Sequence, residues 1–381
     1  MKSVTIRLMA GGLVLLAGCV EPYEPKVAAS DTNLLVVDGY INPTGVTSIR
    51  LSRTAALSST TLPAEKRARV FIEEEEGTRY PLTETTTAGT YASAALQLPA
   101  GRRVRLRLTT AANRDYASDF TPVQRTPDID SVSWRVANDE LRVFVNTHNT
   151  DDAARHYRWS YDETWEFTSR YPSLLTIRNG QFVTRTDNIY RCWGREAPST
   201  ILLGTTTRLS RNVVAEQVVT KLRPGSTKLV RTYSVLVRQY AVSQDEYEYW
   251  EKLRTNTESL GTLFDPLPSQ LTGNVHSLTD PAEQVLGYVG AQSVTEKRLF
   301  IDRTQLPSAW PLVSGYEACI LKIIPEGGNL MPPLNVLVES FRDGKNIPLE
   351  FDPGTGQLYF ATAECVDCRL RGTNVKPSFW P

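Results

Sequence analysis

The residues best suited to chemistry are five cysteines, three histidines and 42 acids. Cys365-Val366-Asp367-Cys368 is a C-x-x-C pair, a spacing used for dithiol exchange or for zinc. Dithiol exchange wants the pair at a helix N-terminus after a strand. Here Arg369-Leu370-Arg371-Gly372 follows, near the chain end and without a helical pattern. Zinc needs four converging ligands, and one C-x-x-C begins such a site poorly. Cys192, Cys319, Cys365 and Cys368 form an even set, so structural disulfides are expected, in any of three pairings. Two long-range bridges, each joining one C-x-x-C thiol to Cys192 or Cys319, would close loops of about 100 residues or fewer.

His148, His156 and His276 show no metal-ligand spacing. His148 and His156 could meet across a hairpin, but surface or hydrogen-bonded roles are expected. No G-x-S-x-G, P-loop or dinucleotide fingerprint is present. Carboxylate pairs such as Asp162 with Glu166 lie in β segments and are no more than so many acids offer by chance. Glu73-Glu74-Glu75-Glu76-Gly77 could hold calcium, but reads as a charged hairpin tip that blocks edge-to-edge pairing. No catalytic residue, metal site or cofactor is assigned, and the chain is read as a non-enzyme.

The fifth cysteine is different. Lys2 and Arg7 lead into an uninterrupted run of ten apolar or small residues, 8–17. A membrane-spanning helix needs about 20 such residues, so this run has the length of a secretory leader. Leu16-Ala17-Gly18-Cys19 matches the bacterial lipobox: small residues admit the backbone to a narrow protease site, and the thiol accepts a diacylglycerol. The expected products are a cleaved leader over 1–18 and a lipidated Cys19, its acyl chains binding a membrane at about 0.8 kcal/mol per buried methylene. Residues 19–32 form an extended tether, because Pro22 and Pro25 prevent a helix. Val20, rather than Asp, argues against inner-membrane retention. Glu21 and Glu24 resemble a surface-export signal. The expected address is the outer membrane, lipid-anchored, facing periplasm or exterior. No later segment is long and apolar enough to cross a bilayer.

Basic and acidic residues balance at 42 each, which gives nucleic acid no electrostatic footing. The elements that must position the candidate residues are mainly strands. Roughly seven short strands between residues 34 and 121 predict a small sandwich over 33–125, of the immunoglobulin-like or carboxypeptidase-regulatory kind. Arg103, Arg105 and Arg107 alternate with Val104, Leu106 and Leu108, one face core and one face solvent. Residues 126–130 read as a hinge into a second, larger sandwich-like domain, 126–381. Its most informative strand alternates Tyr157, Trp159, Tyr161, Glu163, Trp165 and Phe167 on one face. An exposed aromatic row could stack on sugars; a buried one is core, and core is expected. Tyr157, Trp159, Tyr161, Glu163 and Trp165 are thus the candidate ligand-binding residues. Glu163 breaks the apolar face and is expected to mark a bulge or to be held by an arginine.

One helix is predicted near 243–260. Ser243 and Glu246 form an S-x-x-E capping box; Tyr247, Trp250, Leu253, Thr257 and Leu260 recur at helical spacing, and Gly261 ends it. Residues 285–289 and 297–301 read as closing strands. From Asp302 onward the chain is proline-rich and reads as an irregular tail stapled by cysteines.

Several stretches together resemble a lipoprotein family of Bacteroidota catalogued as a domain of unknown function: Cys19-Val20-Glu21-Pro22-Tyr23, Val36-Val37-Asp38-Gly39-Tyr40-Ile41, Thr126-Pro127-Asp128-Ile129-Asp130, Glu163-Thr164-Trp165-Glu166, residues 233–240, residues 264–271, Cys365-Val366-Asp367-Cys368-Arg369 and Lys376-Pro377-Ser378-Phe379-Trp380. The resemblance implies an outer-membrane lipoprotein working with a TonB-dependent receptor. It supplies no catalytic residues. A non-enzymatic accessory or ligand-binding role is therefore expected, against a glycan- or peptide-acting hydrolase and a structural or adhesive envelope protein.

Overall fold

The structure is a computed structural model, and it describes residues 33–55, 59, 61–150, 154–258, 271–327 and 330–381. The leader, Cys19, the tether, Gly261 and most of the 264–271 motif lie outside the described residues. Among the described residues no helix is long and apolar enough to cross a membrane.

The protein is mainly β. The first module comprises β1 (Leu35–Tyr40), β2 (Val46–Arg53), β3 (Arg69–Glu74), β4 (Arg79–Glu84), β5 (Thr90–Ala95), β6 (Arg103–Thr109), β7 (Asp115–Ser118) and β8 (Thr121–Pro122). Its sheet runs β7-β6-β3-β4-β5-β2-β1, with β8 beside β6. Alternation decides what it buries: Val104, Leu106 and Leu108 join Leu35, Ile49, Leu51 and Ile72 in one core.

The second module begins with β9 (Ile129–Ala137), β10 (Glu140–His148), β11 (His156–Thr168), β12 (Leu175–Arg178), β13 (Gln181–Thr184), β14 (Arg191–Glu196), β15 (Leu202–Thr205), β16 (Val213–Leu222) and β17 (Tyr233–Val242). Helix α1 (Gln244–Glu258) follows, then β18 (Val275–Ser277), β19 (Val285–Leu286) and β20 (Val294–Ile301). One layer is β16-β10-β9 and the other β14-β11-β17-β20, with β15 also on β11. They close over Val143, Val145, Tyr157, Trp159, Tyr233, Val235 and Val237.

The chain after α1 does not stay in the second module. Strand β18 pairs antiparallel with β7, and β19 pairs parallel with β1. Isolated bridges extend the seam, joining Ile41 to Ala291 and Gln124 to Gln292. Both free edges of the first sheet are thereby covered, which removes the exposed ladders that invite aggregation. The approach is close enough to require glycine at 287: its φ is +123°, and a Cβ there would meet the Val37 carbonyl oxygen at 2.0 Å. The closing strand expected over 285–289 thus exists, but it closes the first sheet, across the boundary drawn after residue 125.

Residues 126–130 are not a free hinge. Thr126 is buried, its N–H donates to Ser293 Oγ (2.9 Å), and its hydroxyl donates to the Ser293 carbonyl and accepts from the Ala241 N–H. Gln239, fully buried, ties the Pro127 carbonyl (2.9 Å) to the Trp159 indole (2.9 Å). The irregular tail is also corrected: β21 (Lys322–Ile324), β22 (Asn346–Phe351) and β23 (Leu358–Thr362) form a small sheet, with α2 (Leu334–Glu339) before β22. Short strands at this spacing escaped the sequence reading because proline and charged residues interrupt them.

Two disulfides fasten this unit, Cys192–Cys368 and Cys319–Cys365. Both C-x-x-C thiols are consumed separately. The first bridge spans 176 residues, longer than the loops anticipated from the sequence; because closure entropy grows logarithmically, this adds little. In the chain-entropy account such a loop contributes about 5 kcal/mol. Cys192→Ala/Cys368→Ala should accordingly lower the unfolding free energy by up to that amount in non-reducing urea titrations; an unchanged midpoint would contradict a structural role.

Candidate functional site

The aromatic row of β11 is core. Tyr157, Trp159, Tyr161 and Phe167 are buried, and Trp165 packs against the same cluster. The rings of Tyr157 and Trp159 stack on each other 5.8 Å apart. No aromatic face of Tyr157, Trp159 or Tyr161 is left for a ligand, so the row fails as a sugar platform for the reason burial always gives: its faces are filled by protein.

Glu163 is the exception on that face, and it is 2 % exposed. The partner is a lysine, not the expected arginine: Lys228 Nζ donates to Glu163 Oε2 at 2.5 Å, and Tyr233 OH donates to Oε1 at 2.6 Å. Lys228 also meets Glu196 Oε2 at 2.5 Å and lies 5.2 Å from the Trp165 ring centre. Burial alone would lower the lysine pKa; the two carboxylates reverse this and hold it above its ordinary value. A cleft of about 250 Å³ opens beside Glu163, Glu196, Arg298 and Phe379. Glu163 and Glu196 both close on Lys228, which suits holding the sandwich together rather than attacking a substrate.

The other candidates resolve in the same way. Glu73 and Glu74 lie buried in β3 rather than at an exposed tip. Burial works to raise the Glu73 pKa, but hydrogen bonds from Arg105 (2.7 Å) and Arg79 (2.8 Å) prevail and hold it below the usual carboxylate range. Glu74 accepts from Tyr80 OH at 2.6 Å. The arginines that would repel calcium therefore occupy the site. His148 and His156 do not meet as partners: His148 takes Asp130 at 2.8 Å, and His156 sits against the Tyr247 ring. Among the described residues no cluster of three metal-ligating side chains forms.

What the sequence reading missed is the recess between the modules. A cleft of about 550 Å³ lies between β1, α1 and residues 286–288, within the range of small-molecule sites. Tyr40, Tyr249, Trp250 and Tyr288 supply its rings, Arg158 and Glu246 its inner polar groups, and Asp38 with Arg50 its mouth. The Arg158 guanidinium lies between Tyr240 and Trp250, its Cζ 4.4 and 4.5 Å from the ring centres. Burial pushes the Tyr40 and Tyr288 phenols up to about 12, so both keep their protons and can donate.

Glu246 explains why the capping box misled. Its N–H does donate to the capping Ser243 Oγ (3.2 Å), but its carboxyl turns inward to accept from Trp250 Nε1 and Gln292 Nε2, both at 3.2 Å. Gly290 makes the room, since a Cβ there would lie 1.9 Å from Glu246 Oε2. Burial raises the Glu246 pKa, against the opposing pull of Arg158 and the two hydrogen bonds. The buried face of α1 consequently centres on Glu246 and Tyr249, not on the stripe through Tyr247 and Thr257. Trp250 and Leu253 of that stripe do line the cleft.

Residues 20–298 match a family described as Domain of unknown function (DUF4249). The chain belongs to this family. The DUF4249 match takes in the first module, both sheets of the sandwich, α1 and the returning strands, hence every wall of the cleft; it ends inside β20, before the disulfide-bonded terminal sheet. No curated protein matches the chain. Among solved structures, the chain is similar to a two fibronectin type-III domain segment from chicken tenascin, at 13 % identity over 54 % of this chain and 88 % of that one, TM-score 0.15. The FN1–FN3 domains of chicken CNTN1 match at 13 % identity over 54 % and 62 %, TM-score 0.20. Superpositions this loose carry no argument about function.

Two outcomes follow for DUF4249 chemistry in this chain. Lys228→Met strands the Glu163 carboxylate and should cost about 3 kcal/mol, most of it recovered in Glu163→Gln/Lys228→Met; a double variant as unstable as the single one in urea titration would contradict the pairing. Glu246 binds its proton more tightly folded than unfolded, so its contribution is intact below its ordinary value of 4.5 and is lost as pH rises through the folded-state value. Glu246→Gln should therefore gain stability relative to the parent as pH rises above 4.5; parallel pH profiles would contradict it.

Proposed function

We propose that this protein is an outer-membrane-anchored lipoprotein that acts without catalysis, as a ligand-binding accessory of a TonB-dependent transporter. The lipobox ending at Cys19 supports the anchor, and the family resemblance supports the transporter as partner. The observation that carries the binding role is the inter-module cleft: concave, ring-lined, built on strand and helix, and provided with a few inward polar groups, as small-molecule sites are.

Binding is favoured over hydrolysis by the state of the carboxylates. Glu163 is tied to Lys228 and Tyr233, Glu196 to Lys228, and Glu246 to Trp250 and Gln292. A general acid or base needs a free approach to the proton it moves, and each of these carboxyls already has at least one oxygen engaged by the fold.

Crosslinking of cells carrying the tagged intact chain, followed by detergent extraction of outer membranes and mass spectrometry, tests both parts. A Cys19-acylated protein joined to a large β-barrel receptor is expected; an unmodified N-terminus, or no barrel among the crosslinked partners, would overturn the assignment.

A further inference from the structure

Arg158 is a charge the fold leaves unfinished. Two other arginines of this sheet are clamped: Arg238 takes both Asp162 and Glu296 at 2.7 Å, and Arg191 takes Glu166 at 2.7 Å. The Arg158 side chain, by contrast, forms no ion pair and no hydrogen bond among the described residues, and its Nε is buried without an acceptor. Two ring faces, Tyr240 and Trp250, hold it in place. Stacking of this kind returns about 0.5–2 kcal/mol but satisfies none of the guanidinium N–H donors, and the side chain is only half-buried, so they remain open to a ligand. The acid inside the same cleft makes no ion pair or hydrogen bond with it: Glu246 Oε1 takes Trp250 and Gln292, and its attraction to Arg158 acts through space.

A guanidinium presents paired N–H donors in a plane that matches a carboxylate bidentately. Two acids, Glu246 and Asp38, offset the two arginines of the lining, Arg158 and Arg50, so the cleft carries no net positive charge and suits a monoanion better than a phosphate dianion. The remaining walls, Tyr249, Trp250, Tyr288 and Leu286, are ring and hydrocarbon. We propose that the inter-module cleft binds a small aromatic carboxylate, its anionic head paired with the Arg158 guanidinium and its ring packed among Tyr249, Trp250 and Tyr288. This deepens the binding role proposed above by naming the class of occupant.

Three probes with the same ring separate charge from shape: phenylacetate, 2-phenylethanol and 2-phenylethylammonium, titrated calorimetrically into the intact purified chain. Saturable binding of phenylacetate is expected, with the neutral and cationic analogues weaker by about tenfold or more, the worth of one charge-assisted pair. Arg158→Met, which keeps an apolar stem between the two rings, should weaken phenylacetate by a similar factor, and Arg158→Lys should restore only part of it. Equal binding of the three probes, no saturable binding of phenylacetate, or an Arg158→Met protein with unchanged affinity would each overturn the inference. Because the probes act on the parent protein, the test survives a variant that fails to fold. A barrel partner recovered together with absent phenylacetate binding would sink this inference alone and leave the accessory role standing.

Discussion

The structure depends on one set of main-chain hydrogen bonds, those by which residues 275–292 return from the second module to the first. Ile41 donates to the Gly290 carbonyl at 2.9 Å, Gln292 donates back to Ile41 at 3.0 Å, and Gln124 donates to Ala291 at 2.8 Å. Backbone groups at a sheet edge must be paired or solvated. Here the edges of β1 and β7 are paired by the same returning segment, so two sandwiches joined in sequence by a short connection become locked in space. The cleft is a consequence: β1 and residues 286–288 can form one wall, and α1 another, only while that seam holds.

A second pattern is electrostatic. Carboxylates taken into this fold bring partners with them: Glu73 its arginines, Glu163 its lysine and tyrosine, Glu166 both Arg191 and Arg231, and Glu246 its indole and amide. Truncating one member of such a set leaves the other buried and unpaired, which costs more than the pair itself contributes. Arg158 stands outside the pattern, and that contrast gives the cleft its chemical character.

Much of this architecture was legible in the sequence. Strict alternation in β6 and β11 reported strands with one buried face, and the even cysteine set reported bridges. The aromatic row read correctly as core. Long-range events were not legible. Val285 and Leu286 look like any short strand, and nothing local says that their partner is β1, some 250 positions earlier. Arg158 and Glu246 were hidden for a related reason. The first lies on the polar parity of an amphipathic strand, where a charge needs no explanation. The second satisfied a capping rule that accounts for Ser243 but not for the destination of the carboxyl. Gly290 makes the room for that carboxyl, but a glycine that serves a side chain from another element is visible only once that element is placed.

Amide hydrogen exchange of the intact chain tests the seam most directly. Protection at Ile41, Gln124 and Gln292 should match that of Val235 and Val237 in the second core, because all open only when both modules do. Rapid exchange at those three amides while the two valines stay protected would mean that the modules are joined loosely, and the cleft between them would lose its physical basis.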